Sequence, residues 1–315
     1  MKTKAYIIGS LIFFALFTAC EESELPDRIK PADGARVCLI NLSADVTTTG
    51  TVKTNEIVLY FDGTIVANQG SLAVRRLRGI PYRSSYPGVV TAAPAAATAP
   101  TSYPGAEYFI AEAGQTNIEA RDTTYKTGQT VMFTTTYNFV KDKYYSLFVM
   151  DLLPTMTPII VEDDIKPFEE VNKARVRIVN ALYGVAGDKI DLWLVHQPGL
   201  TALGMPPYKL ASNVDYKAVT SFVDTISSGS YKWAVTIAGT EPSAITAPTP
   251  DVNPEIGLKG KPYTITFPAG TAIIPVAATG TSFGDRFTYS FLVFGQFGKT
   301  GVIAPYANLF RNRIH

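Results

Sequence analysis

The sequence is poor in the residues that do chemistry. It holds 2 cysteines and 2 histidines in 315 residues. A Ser-His-Asp or Cys-His site needs an imidazole packed in a preorganised setting. His196 falls in His196-Gln197-Pro198-Gly199, which reads as a turn, and His315 is the last residue, where fraying is expected. No HExxH, CxxC, P-loop or GxGxxG pattern occurs. Catalysis is therefore not expected, and neither is a cofactor. Charge of one sign is lacking too: the net charge of +1 argues against an electrostatic nucleic-acid binder. The acidic run Glu162-Asp163-Asp164 lacks the D-x-D-x-D spacing that gathers carboxylates onto Ca²⁺. It reads as a solvated hinge, not a metal site. The apolar run Tyr6 to Ala19, fourteen residues, is too short to span a bilayer, which takes ~20 helical residues. No segment after it shows a 3.6-residue apolar stripe, so amphipathic helices are not expected.

What the N-terminus does contain is a leader. Lys2 and Lys4 precede the apolar run, which ends in Leu16-Phe17-Thr18-Ala19-Cys20. Small residues before a cysteine resemble the bacterial lipobox, with Phe17 in place of the usual aliphatic residue. The resemblance implies a signal peptide over residues 1–19 and a fatty-acylated, palmitate-bearing Cys20 as the membrane anchor. The segment Glu21-Glu22-Ser23-Glu24-Leu25-Pro26-Asp27 is polar and acidic, so residues 20–33 read as a solvated tether. Acidic residues behind the lipid cysteine resemble the surface-export signal of Bacteroidetes outer-membrane lipoproteins. The expected location is the bacterial outer membrane, facing outward. With Cys20 acylated, no second cysteine remains to bond Cys38, and no intrachain disulfide is expected.

The mature chain repeats itself. Ala35-Arg36-Val37-Cys38-Leu39-Ile40-Asn41 recurs 139 positions later as Ala174-Arg175-Val176-Arg177-Ile178-Val179-Asn180. In the second copy Val176 and Ile178 point one way and the two arginines the other, the period of a half-buried strand. Cys38 stands where the second copy has Arg177, so it is expected on the outer face, with a buried thiol as the alternative. Glu56–Phe61 aligns with Lys189–Leu194, and Ala113–Ile118 with Ser228–Trp233. Lys143–Val149 has two rival partners, Lys261–Phe267 and Phe287–Val293. Short alternating strands punctuated by Gly and Pro point to an all-β fold. The expected architecture is two tandem immunoglobulin-like or transthyretin-like β-sandwich domains after the lipoprotein signal peptide. The first covers residues 34–160, an acidic linker 161–172, and the second 173–315.

Four second-copy strands carry a more specific likeness: the ARVRIVN opening, Ile190-Asp191-Leu192-Trp193, Gly229-Ser230-Tyr231 and Gly260-Lys261-Pro262-Tyr263-Thr264. Together they resemble domain-of-unknown-function family 4397, found as tandem repeats in bacterial envelope lipoproteins. The likeness runs over roughly residues 35 to 295. The first copy departs from it at Cys38 and Val58. The resemblance implies β-sandwiches and supplies no catalytic residues.

Two irregular segments remain. Residues 84–106 are Pro/Ala/Thr-rich, bracketed by Ser85–Gly88 and Ser102–Gly105, and read as a loop. Thr240 to Pro254 carries four prolines. Candidate ligand-binding residues are Trp193, its counterpart Tyr60, Asp191 beside them, and Tyr86 and Tyr103 on the first loop. Strand parity puts Trp233 in the core with Tyr231, Val235 and Ile237, and puts Trp193 on the opposite side. An exposed aromatic beside a carboxylate suits sugar stacking. The function expected is thus a lipid-anchored, non-enzymatic structural or protein-binding envelope module. The alternative is a carbohydrate-binding accessory lipoprotein of a glycan-uptake system.

Overall fold

The computed structural model describes residues 34–43, 56–67, 80–81, 84–86, 108–122, 130–151, 156–165, 170–199, 202–250, 253, 257–276, 281–300 and 303–312. The leader, Cys20, the tether, Tyr103 and His315 lie outside them. Apart from one 3-10 turn (Ala186–Asp188), every regular element among the described residues is a β-strand. In chain order these are β1 (Ala35–Asn41), β2 (Glu56–Phe61), β3 (Thr64–Ala67), β4 (Ile80–Pro81), β5 (Ser84–Tyr86), β6 (Phe109–Ala111), β7 (Gly114–Asp122), β8 (Thr130–Phe139), β9 (Tyr144–Met150) and β10 (Thr157–Glu162). The second half has β11 (Lys173–Tyr183), β12 (Lys189–Gln197), β13 (Tyr208–Asp215), β14 (Val223–Ser227), β15 (Gly229–Ile237), β16 (Ala244–Thr246), β17 (Thr264–Thr266), β18 (Ala272–Ile274), β19 (Thr281–Phe283), β20 (Thr288–Gln296) and β21 (Tyr306–Asn312).

The chain is all-β and built of sandwiches. In the first half, sheet β10-β9-β1-β5, with β6 also on β1, packs against sheet β3-β2-β7-β8. In the second, sheet β14-β11-β20-β21 packs against β13-β12-β15-β18, with β19 also on β15. The twin heptads are β1 and the body of β11, and each runs parallel to a later strand. Val37 pairs with Tyr145 and Leu39 with Leu147; Val176 pairs with Tyr289 and Ile178 with Phe291. Of the two sequence partners for Lys143–Val149, the structure takes Phe287–Val293, because β20 stands beside β11 as β9 stands beside β1. The rival segment instead contributes β17, which pairs only with β16 in a separate hairpin.

Alternation sorts the cores as expected of half-buried strands. Val37, Leu39, Tyr145 and Leu147 meet Ile57, Leu59 and Ile118 in one core. Val176, Ile178 and Phe291 meet Leu192, Trp233 and Val235 in the other. The opposite faces of β1, β9, β11 and β20 do not look outward, however. Cys38, Ile40, Phe148 and Met150 pack on Val179, Ala181, Leu292, Phe294 and Phe310, forming a third core between the two sandwiches. Four sheets therefore stack in series, and the central strands β1, β9, β11 and β20 of the two inner sheets are buried on both faces. Cys38 is 0% exposed, which corrects its expected outer placement in favour of the buried thiol. Parity assigns residues to a face but says nothing of what lies over that face.

Three boundaries also differ from expectation. Ser84–Tyr86 is strand β5, paired to Leu39–Asn41, where the sequence reads as loop from residue 84. The expected acidic linker begins inside β10, where Val161 and Glu162 pair with Ser146 and Tyr145. His196 and Gln197, read as a turn, are the last residues of β12, pairing with Tyr231 and Ser230.

Candidate functional site

The junction between the sandwiches is where the sequence places polar groups in a buried layer. β11 carries Arg177 on its inter-sandwich face, and the chain leaving β10 carries Asp163. Their side chains are 2% and 0% exposed, and Arg177 Nη1 lies 2.6 Å from Asp163 Oδ1. That contact is a buried ion pair. Asp163 Oδ2 accepts from Ser146 Oγ at 2.7 Å and from the Tyr108 hydroxyl at 2.9 Å. Arg177 Nη2 donates to Ser146 Oγ at 3.0 Å and Nε to Ser290 Oγ at 2.8 Å. Ser290 Oγ donates to Asn312 Oδ1 at 2.9 Å, and Asn312 Nδ2 returns to the Tyr108 oxygen at 3.5 Å. The circuit closes. Tyr108, Ser146 and Asp163 come from the first half, and Arg177, Ser290 and Asn312 from the second.

The electrostatics follow from that enclosure. Burial, then the Asp163 carboxylate and Cys38 nearby, push the Tyr108 phenol well above its ordinary range, so it acts as a donor. The Arg177 guanidinium sits 5.4 Å from the Phe148 ring centre and 4.8 Å from that of Phe222. A buried ion pair adds little net stability against an apolar replacement, but removing one partner strands a charge. The circuit thus fixes the register of two sheets whose apolar contacts alone are non-directional. Cys38 is the small counterpart of Arg177 at this junction; a second arginine there would bring a like charge into the same enclosure.

A second clamp sits at the edge of the junction. Asp151, just after β9, accepts from Thr157 Oγ1 at 2.5 Å and from the Tyr216 hydroxyl, and it pairs with Lys217. Tyr216 and Lys217 belong to the second half. Burial alone would raise the Asp151 carboxyl, but hydrogen bonds from Lys217, Thr157 and Tyr216 outweigh it and hold the group below its ordinary 3.8. Beside the junction opens a cleft of about 380 Å³, lined by Glu162, Asp164, Arg175, Thr220 and Phe222 among others. Arg175 Nη1 donates to the Asp164 carbonyl at 3.0 Å.

The residues singled out from sequence lie elsewhere, and Trp193, Asp191 and Tyr60 among them are buried. Trp193 is 5% exposed. It packs with Val195, Ala234 and Ile265, and its ring centre lies 5.7 Å from that of Phe267. The β16–β17 hairpin lies over it; β16 falls in the irregular segment Thr240 to Pro254, and β17 in Lys261–Phe267, which reads as a strand. Asp191 is 0% exposed and fully engaged: Lys209 Nζ at 2.9 Å, the Asn213 amide at 2.7 Å and the Gly239 amide at 3.0 Å. Tyr60 is 7% exposed and covered by Arg121, 4.5 Å from its ring centre. Tyr86 pairs with Leu39 on β5. Tyr103 and Cys20 lie outside the described residues. The junction residues escape a motif search, yet one signal marks them. Tyr145-Ser146-Leu147 and Tyr289-Ser290-Phe291 place a serine at the same point of two mainly apolar strands. Among the described residues no group of three His, Cys, Asp or Glu is placed to hold a metal ion.

No family model matches the chain, and no curated protein does. Two solved structures from Bacteroides are among its structural matches. A leucine-rich repeat protein from Bacteroides thetaiotaomicron is 11% identical, with 83% of this chain and 26% of that one covered and a TM-score of 0.19. This chain therefore spans well under two thirds of that protein. A "putative cell adhesion protein" from Bacteroides fragilis is 8% identical, with 90% and 99% covered and a TM-score of 0.18. At TM-scores this low neither likeness carries an argument.

Proposed function

We propose that the chain is a lipid-anchored envelope protein in which two copies of one β-sandwich module act as a single rigid, non-enzymatic body that presents a protein-binding surface. The observation that carries the reading is the junction. A linker that served as a free hinge would leave Asp163 solvated, whereas its carboxylate is enclosed among groups from both halves. Support for two copies comes from matched pairings: β1 lies parallel to β9 as β11 lies parallel to β20. Family 4397 remains the module type that the second copy resembles. Support for the anchor is the order of lysine, apolar core, small pair and cysteine ending at Cys20.

Radiolabelled palmitate fed to cells expressing the full chain is expected to label the protein. Cys20→Ala is expected to abolish the label and to release the chain from the membrane fraction. Label retained in Cys20→Ala contradicts the anchor, since Cys38 is enclosed in the junction. The second reading, a carbohydrate-binding accessory protein, draws support from one place only, the covered platform around Trp193.

A further inference from the structure

On the outer face of the second sandwich, two polar atoms are buried without a hydrogen-bond partner among the described residues: Trp193 Nε1 and Thr236 Oγ1. They are neighbours. Trp193 pairs with Ala234, and Thr236 pairs with Asp191, so both side chains stand on the same face one diagonal step apart. Native proteins rarely leave such groups empty, and each exception calls for a reason. Lys209, the register partner of Trp193 on β13, holds its ammonium 4.9 Å from the indole centre. The Phe267 ring meets the indole edge to face, its centre 5.7 Å away.

The cover over this platform is unlike the rest of the fold. β16 and β17 form a two-stranded sheet that hydrogen-bonds to no strand of either sandwich. Isolated two-stranded hairpins are marginal in water. Ala244, Ile245, Thr246, Thr264 and Thr266 are all exposed, and Ile265, 8% exposed, is the one buried residue of its two strands. Just ahead of β16, Glu241 pairs with Lys209 of the sheet at 2.8 Å, and Glu241 is 71% exposed. Exposed pairs of this kind hold little.

We propose that the β16–β17 hairpin is a hinged cover over a carbohydrate-binding site, with the Trp193 indole as stacking platform and Trp193 Nε1, the Thr236 hydroxyl and Lys209 as its polar contacts. A pyranose fits this chemistry: an apolar C–H face lies on the ring, and its hydroxyl groups take up the two orphaned atoms. With the hairpin closed the site is hidden, so the apparent affinity is the intrinsic one scaled by the open fraction. This site rests on the carbohydrate-binding reading and gives it a platform, polar contacts and a cover.

The test uses the full chain in detergent on a printed array of pyranose oligosaccharides, with acrylamide quenching as a second measurement. In a Trp233→Phe background, where Trp193 is the sole tryptophan, Ile265→Ala is expected to raise quenching at least twofold. On the array it is expected to strengthen the wild-type signals about tenfold, with Glu241→Gln moving the same way as a variant outside the apolar contact. Trp193→Phe keeps the packing ring, removes the orphaned N–H and the larger platform, and is expected to lose the signals while unfolding no earlier than wild type. No array signal from wild type or Ile265→Ala overturns the proposal. So does quenching that Ile265→Ala leaves unchanged, or binding that survives Trp193→Phe.

Discussion

Arg177 shows how one side chain can set the relation between two sandwiches. Its guanidinium reaches Asp163 and Ser146 of the first half and Ser290 of the second. Arg177→Met leaves the Asp163 carboxylate enclosed with its counter-charge gone, and Asp163→Asn does the converse. Each is expected to lower unfolding free energy in urea by about 3–5 kcal/mol, the cost of stranding a buried charge. The double variant is expected to lose much less than the sum, and an additive result would show that the two do not act on each other. Asp151 supplies a pH signature. Its folded carboxyl titrates below the ordinary value of 3.8, so its contribution is full above that value. It is lost as pH falls through the still lower folded value, where the proton displaces the bond from Lys217. Thermal midpoints of wild type and Asp151→Asn are therefore expected to differ at neutral pH and to converge in the acid range below pH ~3. A constant gap would contradict that assignment.

At the scale of strands, β20 and its neighbours are held by a backbone feature as well as by side chains. Gly295, near the end of β20, has φ +106, and a Cβ there would stand 2.4 Å from the Ala304 carbonyl oxygen. Gly298 has φ +74 and open space around its Cβ position. Gly295→Ala is expected to destabilise by ~3 kcal/mol, combining backbone strain with a displaced segment, and Gly298→Ala by ~1 kcal/mol. Equal losses would mean that the close approach to Ala304 is not felt. Strands were also the level most legible in the sequence. The heptads, the alternation of Ile190 and Leu192, and the inward turn of Trp233 follow from a period of two. The cover over Trp193 did not, because Ile265 and Phe267 reach it from a hairpin more than 70 residues away in the chain. No local pattern encodes such a contact. Nor could alternation separate a solvated face from one pressed against a second protein layer, and so Arg177 and Cys38 read as outward.

At the scale of the whole molecule, the two sandwiches share a core and are expected to unfold together. Phe148, Phe294 and Phe310, all 0% exposed, lie in that shared layer, and each buried ring contributes ~1.5–3 kcal/mol that a separated module would forfeit. This is the coupling that would let a tethered pair present one fixed surface. Differential scanning calorimetry of the full chain in detergent tests it most directly. The account predicts a single transition whose calorimetric and van't Hoff enthalpies agree, moved to lower temperature as a whole by Arg177→Met. Two resolved transitions, with only one of them shifted by that substitution, would contradict it.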